Sequence, residues 1–347
     1  VRIIPTWGEI LREIEAQKRE LIKSHENPLL AFDNVRRKYL AQLCAVTKRN
    51  AVIYASKWTT PGAPPELISI NEEDVHGLME VFHGLKGSSL DLIVHSPGGS
   101  PESAEAMVSY LRSKFDDIRV IIPQAAMSAA TMLACSSDRI MMGKHSSIGP
   151  IDPQMIVETP LGPQAVPAQA IIDQFRMAQR ECQNPALLGS WLPMLGQYGP
   201  ALLVECDEAL KLSKDLVTRW LSRYMFRNES DSDSRASMIA GALTDHNSFK
   251  SHGRHISRDQ ARTLGGKGLV VDDLEIDQKT QDAVLSVFHA TIHTFNGTSA
   301  VKLLENHLGR AYVKSVQMLL VQPSGQSGPG GSLPLGILPA GGGKPPE

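Results

Sequence analysis

Between Leu90 and Gly143 the chain alternates short apolar runs with helical stretches. That alternation limits the architecture more than any other feature of the 347 residues. LDLIVHSPGG (90–99) reads as a buried strand closed by a Pro-Gly-Gly turn. SPESAEAMVSYLRSKF (100–115) reads as a helix, with Ser100 as N-cap and Glu102 and Glu105 near its start. DIRVIIP (117–123) is a second buried strand, running into the small-residue helical stretch QAAMSAATMLACSS (124–137), and DRIMMG (138–143) is a third. Short strands that are apolar throughout, with helices between them, imply an α/β core with parallel pairing. The units at 90–115 and 117–137 look like copies of one strand–turn–helix element, without a strict sequence repeat.

Flanking segments extend this core. TWGEILREIEAQKRELIKSH (6–25) repeats apolar residues at helical spacing, and Thr6 with Glu9 forms a capping box. Its other face is charged, which suits a surface or a neighbouring subunit. AVIYAS (51–56) is a strand, TTPGAPPE (59–66) a Pro-rich link, and a helix follows from about Asn71 to Leu85. KHSSIGPIDPQ (144–154) is a loop. Beyond 155 the chain reads as largely helical (166–183, 200–226, 232–243, 257–264 and 277–295), with a short strand at 268–271. From Gln322 onward 14 of 26 residues are Gly or Pro, a composition that buries too little apolar surface to order itself.

Composition excludes several classes. With 35 Lys plus Arg against 37 Asp plus Glu the net charge is −2, giving no electrostatic footprint for nucleic acid or an anionic membrane. No run of 18 apolar residues exists, so a membrane span is not expected. The first twenty residues contain acids and no apolar core, unlike a secretory signal. The four cysteines (Cys44, Cys135, Cys182, Cys206) are scattered without CxxC, as in a reducing, cytoplasmic compartment. There is no P-loop, no GxGxxG after a strand and no HExxH, so no nucleotide, metal or other cofactor is signalled.

Two local features carry chemistry. In Ser96-Pro97-Gly98-Gly99 a strand ends on glycines whose bare N–H groups can form an oxyanion hole; the plainer reading is a tight turn. Ser128, in AAMSAATM, stands at the start of a helix whose dipole favours a developing negative charge, with the Ala129 N–H beside it. Its plainer reading is an N-cap. Both features follow buried strands, and in a parallel sheet the strand ends share one edge, where ligand sites form.

DLIVHSPGGS, the AMSAATM serine and DRIMMGKHSSIGPIDPQ, in that order, resemble the ClpP/crotonase-fold serine peptidases. The nearest match is the serine dehydrogenase proteinase family, related to signal peptide peptidase A. The resemblance covers about 90–155, with an echo at SHGRHISRDQARTLGGKGLVVDDL (251–274). It implies a repeated ββα superhelix with helical N- and C-terminal additions. The expected segments are a helical extension (1–50), the peptidase domain (51–275), a C-terminal helical segment (276–321) and a disordered tail (322–347). It further implies a homo-oligomer acting on peptide or protein substrates, Ser128 as nucleophile, Gly99 and Ala129 N–H groups as oxyanion hole, and Gly98 as the residue that brings Gly99 close.

For the base, signal peptide peptidase A relatives use a lysine downstream of the serine, and 165–195 contains none. Lys211 and Lys214 lie on a helix that reads as a solvated face. ClpP uses a histidine and an aspartate, and this chain offers Asp152 and His252, with the two roles exchanged in chain order. Triads are defined by geometry and role, so Ser128, His252 and Asp152 form one candidate set; His145, His246 and His255 are rivals. Two other readings share the fold: a crotonase-type acyl-CoA enzyme that stabilises an enolate without a nucleophile, and an inactive oligomeric scaffold.

Overall fold

A computed structural model of the chain describes residues 6–159, 162–317 and 338–339. Its main sheet is built on five parallel strands, β1 (Asn50–Ser56), β2 (Ser89–His95), β3 (Asp117–Ile122), β5 (Arg139–Met142) and β10 (Val271–Asp273), in the order β10-β5-β3-β2-β1. Two antiparallel strands, β11 (Ala300–Asn306) and β12 (Ala311–Gln317), continue it beyond β1, and Leu338–Pro339 pairs with the end of β12. The rest of the Gly/Pro-rich tail lies outside the described residues.

Alternation along each strand sends side chains to opposite layers. Val52, Tyr54, Leu90, Leu92, Val94, Val120 and Ile122 enter one core, with α4 (Asp74–Phe82), α5 (Pro101–Lys114), α6 (Ala129–Cys135), α9 (Leu202–Trp220) and α10 (Ser232–Thr244). Ala51, Ile53, Ile93 and Ile121 enter the other, with α1 (Trp7–Lys23), α2 (Leu30–Thr47) and α13 (Gln278–Gly297). The charged helix α1 buries Ile10 and Ile14 completely against this layer, and its Thr6–Glu9 capping box is formed.

Each long strand of the central region hands on to a short one in a second sheet. Ser96, after β2, bridges Ala126 in β4 (Ala125–Ala126), which pairs in parallel with β6 (Ser147–Ile148). β9 (Ile256–Ser257) closes that sheet antiparallel to β6. Strand, short strand and helix therefore recur as β3, β4, α6, which gives the expected repeating α/β architecture with helical additions at both ends.

Three expectations need correction. Of the segment expected to be helical over 276–321, the described residues past α13 are not: 300–317 is the β11–β12 hairpin, its first strand buried along its whole length, and 318–321 lie outside the described residues. Residues 124–137 hold β4 before the helix starts at Ala129. Finally, 154–167 forms a hairpin of β7 (Gln154–Thr159) and β8 (Gly162–Pro167), half exposed and without clean apolar alternation, ahead of α7 (Ala168–Glu181).

Candidate active site

Parallel pairing brings the two chemistry-bearing turns to the same sheet edge. Ser96 N–H donates to the Ala125 carbonyl (3.3 Å) and Met127 N–H to the Ser96 carbonyl (3.0 Å), so the Gly98–Gly99 turn and Ser128 leave their strands side by side. Gly98 has φ +94°, and a Cβ there would stand 2.5 Å from the Met127 carbonyl oxygen and 2.7 Å from Ser128 Cβ. Only glycine permits that approach.

Ser128 itself has φ 50° and ψ −123°, a left-handed conformation that costs a non-glycine residue energy. The strain sits at a sharp strand-to-helix turn, the kind that exposes a serine hydroxyl. Ser128 is half-buried, and its Oγ makes no hydrogen bond among the described residues. Its neighbour Ala129 begins α6, with an N–H that has no partner among the described residues.

The glycine turn divides its polar groups between two sides. Gly98 C=O accepts from Ile70 N–H (2.7 Å), and Ser100 N–H donates to Ile70 C=O (3.0 Å). Gly98 N–H donates to Ser96 Oγ (3.2 Å) and is therefore occupied. Gly99 N–H, which in an extended chain faces away from Ile70, has no partner among the described residues. Of the three N–H groups singled out in the sequence, those of Gly99 and Ala129 are free, and Gly98 supplies the close approach.

Asp152 is reached through α6. Thr131 Oγ1 donates to the Ala126 carbonyl (2.8 Å) and accepts from Gly149 N–H (3.0 Å), while Gly149 lies against Met127. This fixes the start of the loop that buries the Asp152 carboxylate. Asp152 Oδ1 meets His252 Nδ1 at 2.7 Å and Oδ2 meets His246 Nδ1 at 2.9 Å. Gln154 Nε2 donates to Oδ2 at 3.2 Å. Each imidazole thereby directs its Nε2 away from the carboxylate. The sequence offers His246 as one rival among several; nothing in its spacing shows that it and His252 share one carboxylate.

The other rivals have different partners. His255 Nδ1 lies 2.6 Å from Ser147 Oγ, and His145 Nε2 lies 2.9 Å from the Pro123 carbonyl. Lys211 is exposed and paired with Asp207 (2.6 Å) and Glu208 (3.2 Å), and Lys214 is exposed on the same helix. His95, at the end of β2, is wholly buried between Trp58 and Phe288. That burial pulls its pKa down to about 4 against a weaker pull from the Ala125 backbone, so it stays neutral.

Residues 67–181 match the family described as ClpP-like SDH-type serine proteinase. The matched segment holds the glycine turn, Ser128 and Asp152, and ends before His246 and His252. Over 70 and 66 residues the chain is 39% identical to two uncharacterized proteins of Methanocaldococcus jannaschii. Those matches span 20% and 19% of this chain, and 24% and 23% of the relatives' own length. A solved structure of a mutant of the 1510-N membrane-bound stomatin-specific protease aligns at TM-score 0.36 and 14% identity, covering 62% of this chain and 79% of that one. Among the described residues of the present chain, no helix is long and apolar enough to cross a membrane.

Proposed function

We propose that the chain is a serine peptidase that cleaves peptide bonds through an acyl-enzyme on Ser128. The family match over 67–181 supports a serine peptidase at that level. The observation that carries the assignment to Ser128 is its strained conformation against Gly98, with the free Gly99 and Ala129 N–H groups on either side.

In this reading Ser128 Oγ attacks the substrate carbonyl carbon while His252 Nε2 takes its proton. Asp152 holds the His252 tautomer by accepting from Nδ1 and stabilises the imidazolium. The Gly99 and Ala129 N–H groups receive the oxyanion. The C–N bond then breaks as His252 returns the proton to the leaving amine, and water releases the acyl group by the same path. No metal or cofactor enters the reaction. His246 is a second reading for the base, favoured by its own bond to Asp152 (2.9 Å).

The test is fluorophosphonate labelling with peptide hydrolysis. Ser128→Ala is expected to abolish both, and His252→Ala to lower kcat by about 10³-fold or more while His246→Ala lowers it far less. The reverse order would transfer the base to His246. A wild-type chain that neither labels nor hydrolyses peptides would refute the peptidase reading and leave the crotonase-type and scaffold readings. Assembly with copies of itself belongs to the same proposal and is read by solution mass.

A further inference from the structure

Outside the matched segment, β11 places a lysine in the core. Lys302 has no solvent exposure, yet all its donors are engaged: with Ser69 C=O at 2.6 Å and the two Asp74 carboxylate oxygens at 2.8 and 2.9 Å. Asp74, equally buried, also accepts from the Tyr54 hydroxyl (2.8 Å) and from Asn71 N–H (3.1 Å). Ser96 Oγ, at the far side of this cluster, accepts from Gly98 N–H (3.2 Å).

We infer that Lys302, set in place by Asp74, is a positioning residue for the Gly98–Gly99 turn, acting through the Ser69–Ile70 segment; this inference rests on the peptidase reading above. Tyr54 and Asn71 donate to the Asp74 carboxylate and fix it, and the carboxylate in turn directs the Lys302 ammonium. Lys302 then holds the Ser69 carbonyl, which fixes Ile70, and Ile70 grips Gly98 C=O and Ser100 N–H. The turn has no room to shift toward this segment, since a Cβ on Gly99 would stand 2.5 Å from Ile70 N. With Gly98 and Ser100 held from that side, Gly99 N–H faces away from Ile70 and stays unpaired among the described residues.

Stability alone does not account for this arrangement. Replacing a buried ion pair by well-packed apolar groups is often neutral or favourable. A lysine that costs desolvation at this place has a use in orientation.

The test uses the full chain and a fluorophosphonate probe. Lys302→Met and Tyr54→Phe are measured for kcat, KM and the ³¹P resonance of the phosphonylated Ser128, whose phosphoryl oxygen would occupy the oxyanion hole. Arg36→Met, which breaks a buried charge pair with Glu305 in the opposite layer, is the comparison. Lys302→Met is expected to lower kcat by about 30- to 100-fold and Tyr54→Phe by about tenfold, with KM within about twofold and the resonance moved in both. Arg36→Met is expected to lower the melting temperature and leave kcat and the resonance unchanged. Should Lys302→Met fail to fold, Tyr54→Phe, which removes one hydroxyl, decides. Wild-type kcat and an unmoved resonance in folded Tyr54→Phe would overturn the positioning role alone. Absence of labelling in the wild type would overturn the peptidase reading, and this role with it.

Discussion

Ser128 pays for its position in backbone strain, and that strain is measurable without any substrate. A left-handed φ of 50° costs a residue with a Cβ about 1–3 kcal/mol, whereas glycine adopts it freely. Ser128→Gly is therefore expected to be more stable than Ser128→Ala by about 1 kcal/mol, both being inactive; denaturant melts of the two variants check this. His95 makes a second prediction. Its pKa falls from 6.5 unfolded to about 4 folded because burial disfavours the imidazolium. As pH drops the unfolded chain gains this proton first, so the His95 contribution is complete above about pH 6.5 and lost progressively down to about 4. The loss is about 3 kcal/mol, and a His95→Phe variant should show a correspondingly flatter stability profile over that window. The sequence offered Ser128 and the glycines openly, because a turn is a local event. It could not rank His246 and His252, because the carboxylate they share is about a hundred positions away in the chain.

Among the elements, α6 does more than start at the serine. Its Thr131 hydroxyl joins β4 to the loop that carries Asp152, accepting from Gly149 N–H and donating to Ala126 C=O. Thr131→Val keeps the shape but leaves Gly149 N–H only its longer bond to the Ala126 carbonyl (3.2 Å), and a loss of about 1 kcal/mol is expected in denaturant melts. The loosened loop should also lower kcat, and amide exchange at Gly149 reads the lost protection. α5 and α6 were legible from apolar spacing and capping residues, and Ser100 does cap α5 by accepting from Ser103 N–H. The two-residue strands β4 and β6 were not, since so short a pairing has no periodicity and exists only because Ser96, Ala126 and Ile148 meet.

On the scale of the whole molecule the C-terminal hairpin ties the helical additions to the sheet. Glu305 on β11 pairs with Arg36 and with Arg37 (2.7 Å) of α2, and Arg36 also donates to Thr294 of α13 (2.8 Å). Glu305→Gln removes one of the two carboxylates on a buried guanidinium, Asp33 (2.7 Å) being the other, and a loss of about 2 kcal/mol is expected, read as a fall in melting midpoint. A single cooperative transition would show that the helical layer and the sheet unfold together. The sequence by itself determined the alternation of strands and helices, the glycine turn, the strained serine's neighbourhood and the caps, because each depends on residues within a few positions of one another. Tertiary structure alone decided that β11 joins β1, that Asp152 receives two imidazoles, and that Lys302 holds the segment gripping the glycine turn. Those contacts join residues far apart in the chain, and their partners are chosen by packing and burial, which leave no local pattern to read.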